Sequence, residues 1–277
     1  MNKYLIFRTD RIGDFLISAI LIKSIKRNDP DSFINVVASE KNYNYIKSYK
    51  IVDKVTLLTK GILSKFKLIN YLRKEKYNTI IIHDGKQRSI LISLFLKTNL
   101  KIVSNANLNI SYFSDIKKIL NHLNFSFDKV DLDTLNNRNY TTIQDCDDLK
   151  NNYILCHFDE KWIHNEYISN YVSIEPLEKE LVYFFNSIVN RTNKKLVVTT
   201  GLNSPKILNK IFKDEFNNRV IFFNNLDFLE IENIIDKSNL LISCHGAVSH
   251  VATAKNIRQI DIIDESKTNF YKNWTDH

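Results

Sequence analysis

Short apolar runs that alternate with longer stretches of helical spacing constrain this chain's fold more than any other feature of the sequence. Tyr4–Phe7, Phe33–Ala38 and Thr79–Ile82 predict buried strands, because each is a brief run of apolar and β-branched residues. Phe15–Ile25 and Ile62–Lys74 place apolar residues at helical intervals and predict helices. Strands and helices in alternation indicate a parallel sheet with helices on both of its faces.

The same alternation returns in the second half of the chain. Strands are predicted at Tyr153–Cys156, Lys195–Thr199, Val220–Phe223, Leu240–Ser243 and Ile260–Ile263. Residues 128–152 are rich in Asp, Asn and Thr and show little periodicity, so we interpret them as a linker region. The sequence therefore predicts an α/β protein with two Rossmann-like domains, 1–150 and 151–277, facing a central cleft near the carboxyl ends of their strands.

Charge is distributed unevenly between the two halves. Residues 1–120 carry a net charge of +13, whereas the remainder carries −5. A basic half could bind an anionic acceptor, a membrane surface or a nucleic acid, although a lysine-rich composition without a binding role fits equally well. Neither an aromatic stacking platform nor a helix-turn-helix pattern is evident, so we do not expect nucleic-acid binding.

Several classes of protein lack support in the sequence. There is no GxGxxG, GxxxxGK[ST], HExxH or GxSxG motif, and the three cysteines match neither a zinc knuckle nor a redox pair. Asp131-Leu132-Asp133 has the spacing of a metal-binding motif, but it falls in the expected linker, where we interpret it as solvated. No apolar run is long enough to span a membrane, and no secretory leader is evident, so the expected location is the cytoplasm.

Three segments could carry chemistry, each at the end of a predicted strand. In the first, Gly13 is expected to permit a tight turn and Asp14 to sit at the start of a helix, as a cap or as a general base. In the second, Lys161 is either a surface lysine beside a half-buried Trp162 or a point charge for a phosphate. The third is the turn His245-Gly246-Ala247, which opens a helix whose N-terminus could bind a diphosphate.

These segments resemble those of the ADP-heptose:lipopolysaccharide heptosyltransferases, glycosyltransferase family 9. Arg8–Asp14 followed by Phe15-Leu16-Ile17-Ser18 is similar to the family's opening motif, and the resemblance implies that Asp14 is the catalytic base. Tyr77–Ser89 looks like the strand, polar loop and helix of the acceptor half. Together the two segments suggest acceptor contacts from cationic side chains, namely Arg8, Arg11, Lys86 and Arg88.

In the second half, the resemblance implies a donor site for a nucleotide sugar, with an ADP-sugar favoured. The residues at matching positions are Lys161, Glu230, His245, Gly246, Ala247 and His250. From the residues alone, Glu230 could equally be a helix-dipole carboxylate, and His250 a core histidine. Phe158 and Asp159 replace small hydroxyl residues, and His245 stands where the family has Asp. The chain is also shorter than is usual, so a C-terminal helix that crosses back to the first half is expected to be missing or reduced.

These observations predict an inverting glycosyltransferase that needs neither a metal nor another cofactor. It would move a heptose-like sugar from a nucleoside-diphosphate sugar to a lipopolysaccharide or other surface-glycan acceptor, with possible peripheral contact with the inner membrane. Two alternatives stay open. The His245-Gly246 pair also resembles a turn of polysaccharide pyruvyl transferases, and the absent turn Asp would suit a nucleotide-sugar-binding protein without turnover.

Overall fold

The computed structural model describes residues 1–105, 110–135, 152–163, 174, 176–201, 204–213 and 217–275. The chain divides into two compact units. Residues 1–134 and 269–277 form the first, and residues 135–268 form the second. The predicted boundary at 150 and most of the predicted linker, including Cys146, lie outside the described residues.

The first unit is a five-stranded parallel sheet in the order β3-β2-β1-β4-β5. Its strands are β1 (Lys3–Arg8), β2 (Phe33–Ala38), β3 (Lys54–Leu57), β4 (Thr79–Ile82) and β5 (Leu100–Val103). Its helices are α1 (Ile12–Asn28), α2 (Tyr43–Lys47), α3 (Ile62–Leu72), α4 (Gln87–Leu94) and α5 (Tyr112–His122). The final helix of the chain, α10 (Thr268–Thr275), also falls almost entirely in this unit.

Helices cover the first sheet, which explains its apolar strands. Leu5 and Phe7 of β1 and Ile80 and Ile82 of β4 share one buried cluster with the inner sides of α3 and α4. Alternate residues of a strand point to opposite faces, and a parallel sheet is covered on both, so the central strands β1 and β4 are apolar along most of their length.

The second unit repeats this architecture in the order β10-β9-β6-β7-β8. Its strands are β6 (Tyr153–His157), β7 (Lys195–Thr199), β8 (Val220–Phe223), β9 (Leu240–Cys244) and β10 (Gln259–Ile262). Its helices are α6 (Glu178–Thr192), α7 (Lys206–Ile211), α8 (Phe228–Asp236) and α9 (Ala247–Ala254). Counted within each unit, the two strand orders are the same.

The predicted α/β class with two Rossmann-like domains is confirmed, and four strands have the predicted bounds: β2, β4, β7 and β8. Three helices were not predicted, namely α2, α5 and α10. The expected loss of the C-terminal helix is wrong, because α10 is present and the Trp274 ring lies 4.0 Å from that of Tyr112, centroid to centroid; the alternative, a reduced helix, stays a prediction. None of the described helices is both long and apolar enough to cross a membrane.

The interpretation of Asp131-Leu132-Asp133 as a solvated loop was wrong for Asp131. This carboxylate is fully buried in a 3-10 turn. Its two oxygens accept hydrogen bonds from Arg27 Nε at 2.9 Å and Ser24 Oγ at 2.7 Å. The segment therefore anchors the end of the first unit onto α1, and its first carboxylate is already engaged.

Candidate functional site

The chemistry-bearing residues lie where each sheet reverses its strand order. In the first unit β1 and β4 are neighbours with Phe7 opposite Ile82, so Arg8 and His83 emerge side by side. In the second unit β6 and β9 are neighbours with His157 opposite Ser243, so His157 lies beside the turn at His245. Ligands of open α/β sheets bind outside the carboxyl ends of strands at such switch points.

Asp14 is the third residue of α1 and is not the N-cap. The N-cap is Arg11, whose backbone N–H donates to Asp14 Oδ2 at 2.9 Å. The other carboxylate oxygen, Oδ1, lies 3.8 Å from Arg8 Nη2. The side chain is part-exposed, so Asp14 combines a capping role with a position from which it can accept a proton from a bound hydroxyl.

The tight turn predicted at Gly13 is not there, because Gly13 lies within α1 in helical conformation. The left-handed glycine of this edge is Gly85, with φ of 59°, in the turn that follows β4. Glycine adopts this conformation at no steric cost, because it has no Cβ. The left-handed glycine of the first edge therefore belongs to Tyr77–Ser89, the segment that resembles the acceptor half of the family.

Arg8 is buried, with 1% of its surface exposed. Its Nε donates to the Asp14 carbonyl at 2.8 Å and its Nη1 to the His83 carbonyl at 2.7 Å. Its guanidinium carbon lies 5.7 Å from the centre of the Tyr112 ring. Through these contacts Arg8 links β1, α1 and the loop after β4. Its predicted contact with the acceptor stays a prediction.

The other cations predicted to contact the acceptor are more accessible. Lys86 is half-buried and its ammonium contacts the Asp10 carboxylate, while burial and the nearby charges of Arg88 and Arg8 lower the pKa of Lys86 to about 8. Arg88 is exposed, and its Nη2 donates to Thr9 Oγ1 at 2.7 Å. Arg11 is half-buried at the start of α1. The structure thus brings Asp14 and all four predicted cations to one edge.

Two polar residues of this edge were not singled out as site residues from the sequence. Asp84 accepts hydrogen bonds from Thr9 Oγ1 at 2.6 Å and Ser89 Oγ at 2.7 Å, which ties the loop after β4 to that after β1. His83 is buried, with its Nδ1 2.7 Å from Ser18 Oγ. Burial and the positive charge of Arg8 hold the pKa of His83 well below its usual range, so this histidine is neutral.

Lys161 is buried in the second unit, so the alternative of a surface lysine was wrong. It follows β6 in a short 3-10 turn and has 9% of its surface exposed. Its Nζ lies 2.8 Å from Asp159 Oδ2 and donates to the His245 carbonyl at 3.4 Å. The ammonium also lies directly against the α-carbon of Gly246, where any Cβ would collide with it.

The departures at Phe158 and Asp159 have structural explanations. Phe158 stacks on Trp162 with ring centroids 4.7 Å apart, and both rings are buried in the core cluster of the second unit. The expectation of a half-buried Trp162 was therefore wrong. Asp159 supplies the counter-charge that a buried ammonium requires.

The turn from His245 to Ala247 is held by a carboxylate that was not predicted. Asp261 of β10 lies 2.8 Å from His245 Nδ1 through Oδ2, and its Oδ1 accepts from Ser249 Oγ at 2.6 Å. Ser249 Oγ in turn accepts from the Gly246 N–H at 3.2 Å. The single signal in the sequence is a charged residue within the apolar run Ile260–Ile263.

Helix α9 begins at Ala247 with Gly246 as its N-cap, and the Ser249 N–H donates to the Gly246 carbonyl at 3.1 Å, so the first two amides, those of Ala247 and Val248, have no partner inside the helix. They point from the same turn that holds Lys161 against Gly246. Free N–H groups, a positive helix end and a neighbouring ammonium form an arrangement that can bind a phosphate or diphosphate.

The remaining donor-site residues differ in their surroundings. His250 is buried in α9, and its ring lies edge-on to that of His245 with centroids 5.4 Å apart. Glu230 forms a reciprocal cap with Asp227, whose backbone N–H donates to Glu230 Oε2 at 2.7 Å. Glu230 therefore already serves its own helix, and its role toward a ribose stays a prediction.

His157 connects this turn to the sheet. Its Nδ1 lies 3.0 Å from Thr199 Oγ1, and its carbonyl accepts from Trp162 Nε1 at 3.1 Å. Burial lowers the pKa of His157 to about 4, so the ring is neutral near pH 7. Across the described part of the chain, no three His, Cys, Asp or Glu side chains are grouped as metal ligands would be.

Curated relatives of the chain are lipopolysaccharide heptosyltransferases. Heptosyltransferase 3 of Escherichia coli is 24% identical over 295 aligned positions, which cover 96% of this chain and 84% of that protein. Heptosyltransferase 1 of Campylobacter coli is 28% identical over 100 residues, which cover 35% of this chain and only 29% of that protein. No protein-family model matches the chain.

Solved structures agree on the fold. A family 9 glycosyltransferase from Veillonella parvula superimposes with a TM-score of 0.69 at 12% identity, covering 94% of this chain and 80% of that one. The E. coli heptosyltransferase WaaC with ADP-2-deoxy-2-fluoro heptose gives 0.66 at 12% identity, covering 95% and 91%. The chain therefore has the GT-B fold of these glycosyltransferases, and the predicted resemblance to heptosyltransferases is confirmed.

Proposed function

We propose that this chain is an inverting, metal-independent glycosyltransferase that moves a heptose-like sugar from a nucleoside-diphosphate sugar, with an ADP-sugar favoured, to a lipopolysaccharide or related surface glycan. The observation that carries the proposal is the buried ammonium of Lys161 against Gly246 at the N-terminus of α9. Similarity to a lipopolysaccharide heptosyltransferase along almost the whole chain supports it. We place the reaction in the cytoplasm.

The proposed reaction is a single displacement. Asp14 takes the proton of an acceptor hydroxyl, whose oxygen then attacks the anomeric carbon. A new carbon–oxygen bond forms as the bond to the diphosphate breaks, and the nucleoside diphosphate leaves with the electron pair. Attack opposite the leaving group inverts the configuration at that carbon.

Charge that develops on the leaving diphosphate needs stabilisation, and fixed groups of the second unit supply it without a metal. These are the Lys161 ammonium and the first amides of α9, held in place by the Asp261 and Ser249 hydrogen bonds. Groups that are fixed before the reaction cost no reorganisation in the transition state. Asp159 reduces the net charge at this point, so we expect backbone amides to supply a large share of the attraction.

Acceptor binding is assigned to the first unit. Lys86, Arg88 and Arg11 are the accessible cations of the edge that holds Asp14, and they suit a phosphorylated or acidic glycan. Arg8 would act from beneath this surface, since it is buried against the Asp14 backbone.

The first test is a thermal-shift screen against ADP, GDP, UDP and CMP, with and without EDTA. We expect a rise in melting temperature with ADP that EDTA leaves unchanged, because ligand bound to the folded state alone stabilises it. An ADP-sugar should then yield a product of inverted anomeric configuration by NMR. The absence of a shift with every nucleotide would overturn the proposal.

A pyruvyl transferase is the second candidate, favoured by the His245-Gly246 pair in the turn before α9. Such an enzyme would consume phosphoenolpyruvate and give no product from a nucleotide sugar. A shift with ADP but no turnover of any ADP-sugar would instead indicate a binding protein.

A further inference from the structure

Helices α3 and α4 expose an unusual set of apolar side chains. Both helices bury one side in the core of the first unit, through residues such as Leu68 and Ile92. Their outer sides nevertheless carry seven large apolar residues that are 42–78% exposed: Ile62, Leu63, Phe66, Tyr71, Leu91, Leu94 and Phe95. We call this set the α3–α4 face. Helices that are apolar on their outer side as well normally have a further binding partner.

The segment that carries the α3–α4 face is also strongly cationic. Residues 60–101 contain ten Lys and Arg and only two acidic residues, Glu75 and Asp84. Both acidic residues are engaged: Glu75 bridges Lys3 and Lys54, and Asp84 accepts hydrogen bonds from Thr9 and Ser89. The surplus of eight positive charges equals the formal net charge of the whole chain.

A cavity of about 650 Å³ opens where the last turns of α3 and α4 meet, at the amino ends of β4 and β5. Its apolar lining includes Leu72 and Leu96, and its cations are Arg73, Lys76 and Lys97. Arg73 Nε donates to the Phe95 carbonyl at 2.9 Å, which ties the two helix ends together. Apolar groups and cations thus adjoin here.

We propose that the α3–α4 face docks on an anionic lipid bilayer. The exposed Leu, Ile and Phe side chains would enter the boundary between headgroups and acyl chains, and the lysines and arginines would contact lipid phosphates. A second copy of this chain is a poorer occupant, because two such cationic faces would repel each other. A nucleic acid is poorer too, because aliphatic side chains dominate the face and offer no stacking surface.

This orientation would serve a membrane-bound acceptor. Helix α4 begins at Gln87, between Lys86 and Arg88, so one end of the face adjoins the edge that carries Asp14. A bilayer against α3 and α4 would therefore bring lipid-linked glycans to the accessible cations. The docking itself does not depend on the proposed reaction.

Vesicle flotation tests the proposal. The chain should bind vesicles of phosphatidylcholine with phosphatidylglycerol, bind phosphatidylcholine alone weakly, and release as salt is raised. The variant Leu63→Glu with Phe66→Glu should bind anionic vesicles at least about tenfold more weakly. Equal binding of the variant and the unmodified chain, or equal binding to both kinds of vesicle, would overturn the proposal.

A matched control comes from the second unit. Leu177→Glu with Tyr183→Glu adds the same charge at positions that are 55% and 70% exposed, and it should bind vesicles like the unmodified chain. Loss of binding in this control would refute a specific face. All variants should keep the same melting temperature and the same response to ADP, so a failure of docking and a failure of the proposed reaction can be told apart.

Discussion

The two switch-point edges share a strand order but differ in how far their charged side chains are exposed to solvent. In the first unit, Lys86 and Arg88 keep access to solvent around a part-exposed Asp14. In the second unit, Lys161 is buried and already paired with Asp159, and His245 is already bonded to Asp261. Both edges therefore hold ion pairs, since Lys86 also contacts the Asp10 carboxylate, but the cations of the first edge stay accessible to an anionic ligand, whereas Lys161 of the second is buried and fixed in place. Substitutions at the two edges should consequently have different effects.

The largest expected effect is at Asp14. Asp14→Asn should lower kcat about 1,000-fold, since a general base contributes a factor of this order. The amide oxygen can still accept from the Arg11 N–H, so the melting temperature and ADP binding should hold. Asp31→Asn, in the exposed turn before β2, is the control and should leave kcat unchanged. Turnover of Asp14→Asn within threefold of the unmodified chain would remove Asp14 from the proposed mechanism.

The next effect concerns the buried ion pair. Lys161→Met should lower the free energy of unfolding by about 3 kcal/mol, because it leaves Asp159 buried without a counter-charge. Adding Asp159→Asn should restore most of this stability but not ADP affinity. Lys86→Met, at the first edge, should change stability by less than about 1 kcal/mol. Urea unfolding measures all three, and equal effects at Lys161 and Lys86 would contradict the contrast between the edges.

His157 should make stability depend on pH. Its pKa is about 4 in the folded chain, below the ordinary value of 6.5, so the unfolded chain binds the proton more readily between these values. The contribution of His157 to the free energy of unfolding is fully present above pH 6.5. It falls by about 3 kcal/mol in all as the pH drops toward 4. Unfolding by urea across this range, compared with His157→Asn, measures it. If the free energy of unfolding depends on pH in the same way in His157→Asn, His157 is not the source of that dependence.

The smallest expected effect is at Gly246. Gly246→Ala would force the Lys161 ammonium to move, because a Cβ at this position collides with it. We expect ADP to bind about tenfold more weakly, the equivalent of about 1.4 kcal/mol. Gly201→Ala meets nothing within 4 Å and should bind ADP normally. Normal ADP affinity in Gly246→Ala would show that the ammonium's position does not matter for binding.

Local pattern predicted the sheets but not their charge pairs. Thr79–Ile82 and Val220–Phe223 were found because a buried parallel strand is a continuous apolar run. Asp131 was misread because its partners Ser24 and Arg27 are more than 100 residues away. Asp261 is only 16 residues from His245, but it was missed because its place beside that ring follows from the pairing of β9 with β10.

Helices were harder to predict where polar residues dominate. Helix α5 contains Ser, Asn and Lys among its apolar residues, yet Ile116, Ile119 and Leu120 are buried on one side and Ser111 caps its first turn. Helix α2 is only five residues long, too short for a periodic pattern. The roles of the donor-site residues rest on resemblance and stay predictions.

The first unit is assembled from two separate stretches of the chain, and this has a consequence for synthesis. Residues 269–275 emerge from the ribosome after the entire second unit. Until then Trp274 cannot stack on Tyr112, the ring that lies beside the guanidinium of Arg8. The aromatic contact next to the buried arginine of the first unit can therefore form only after the second unit has been translated.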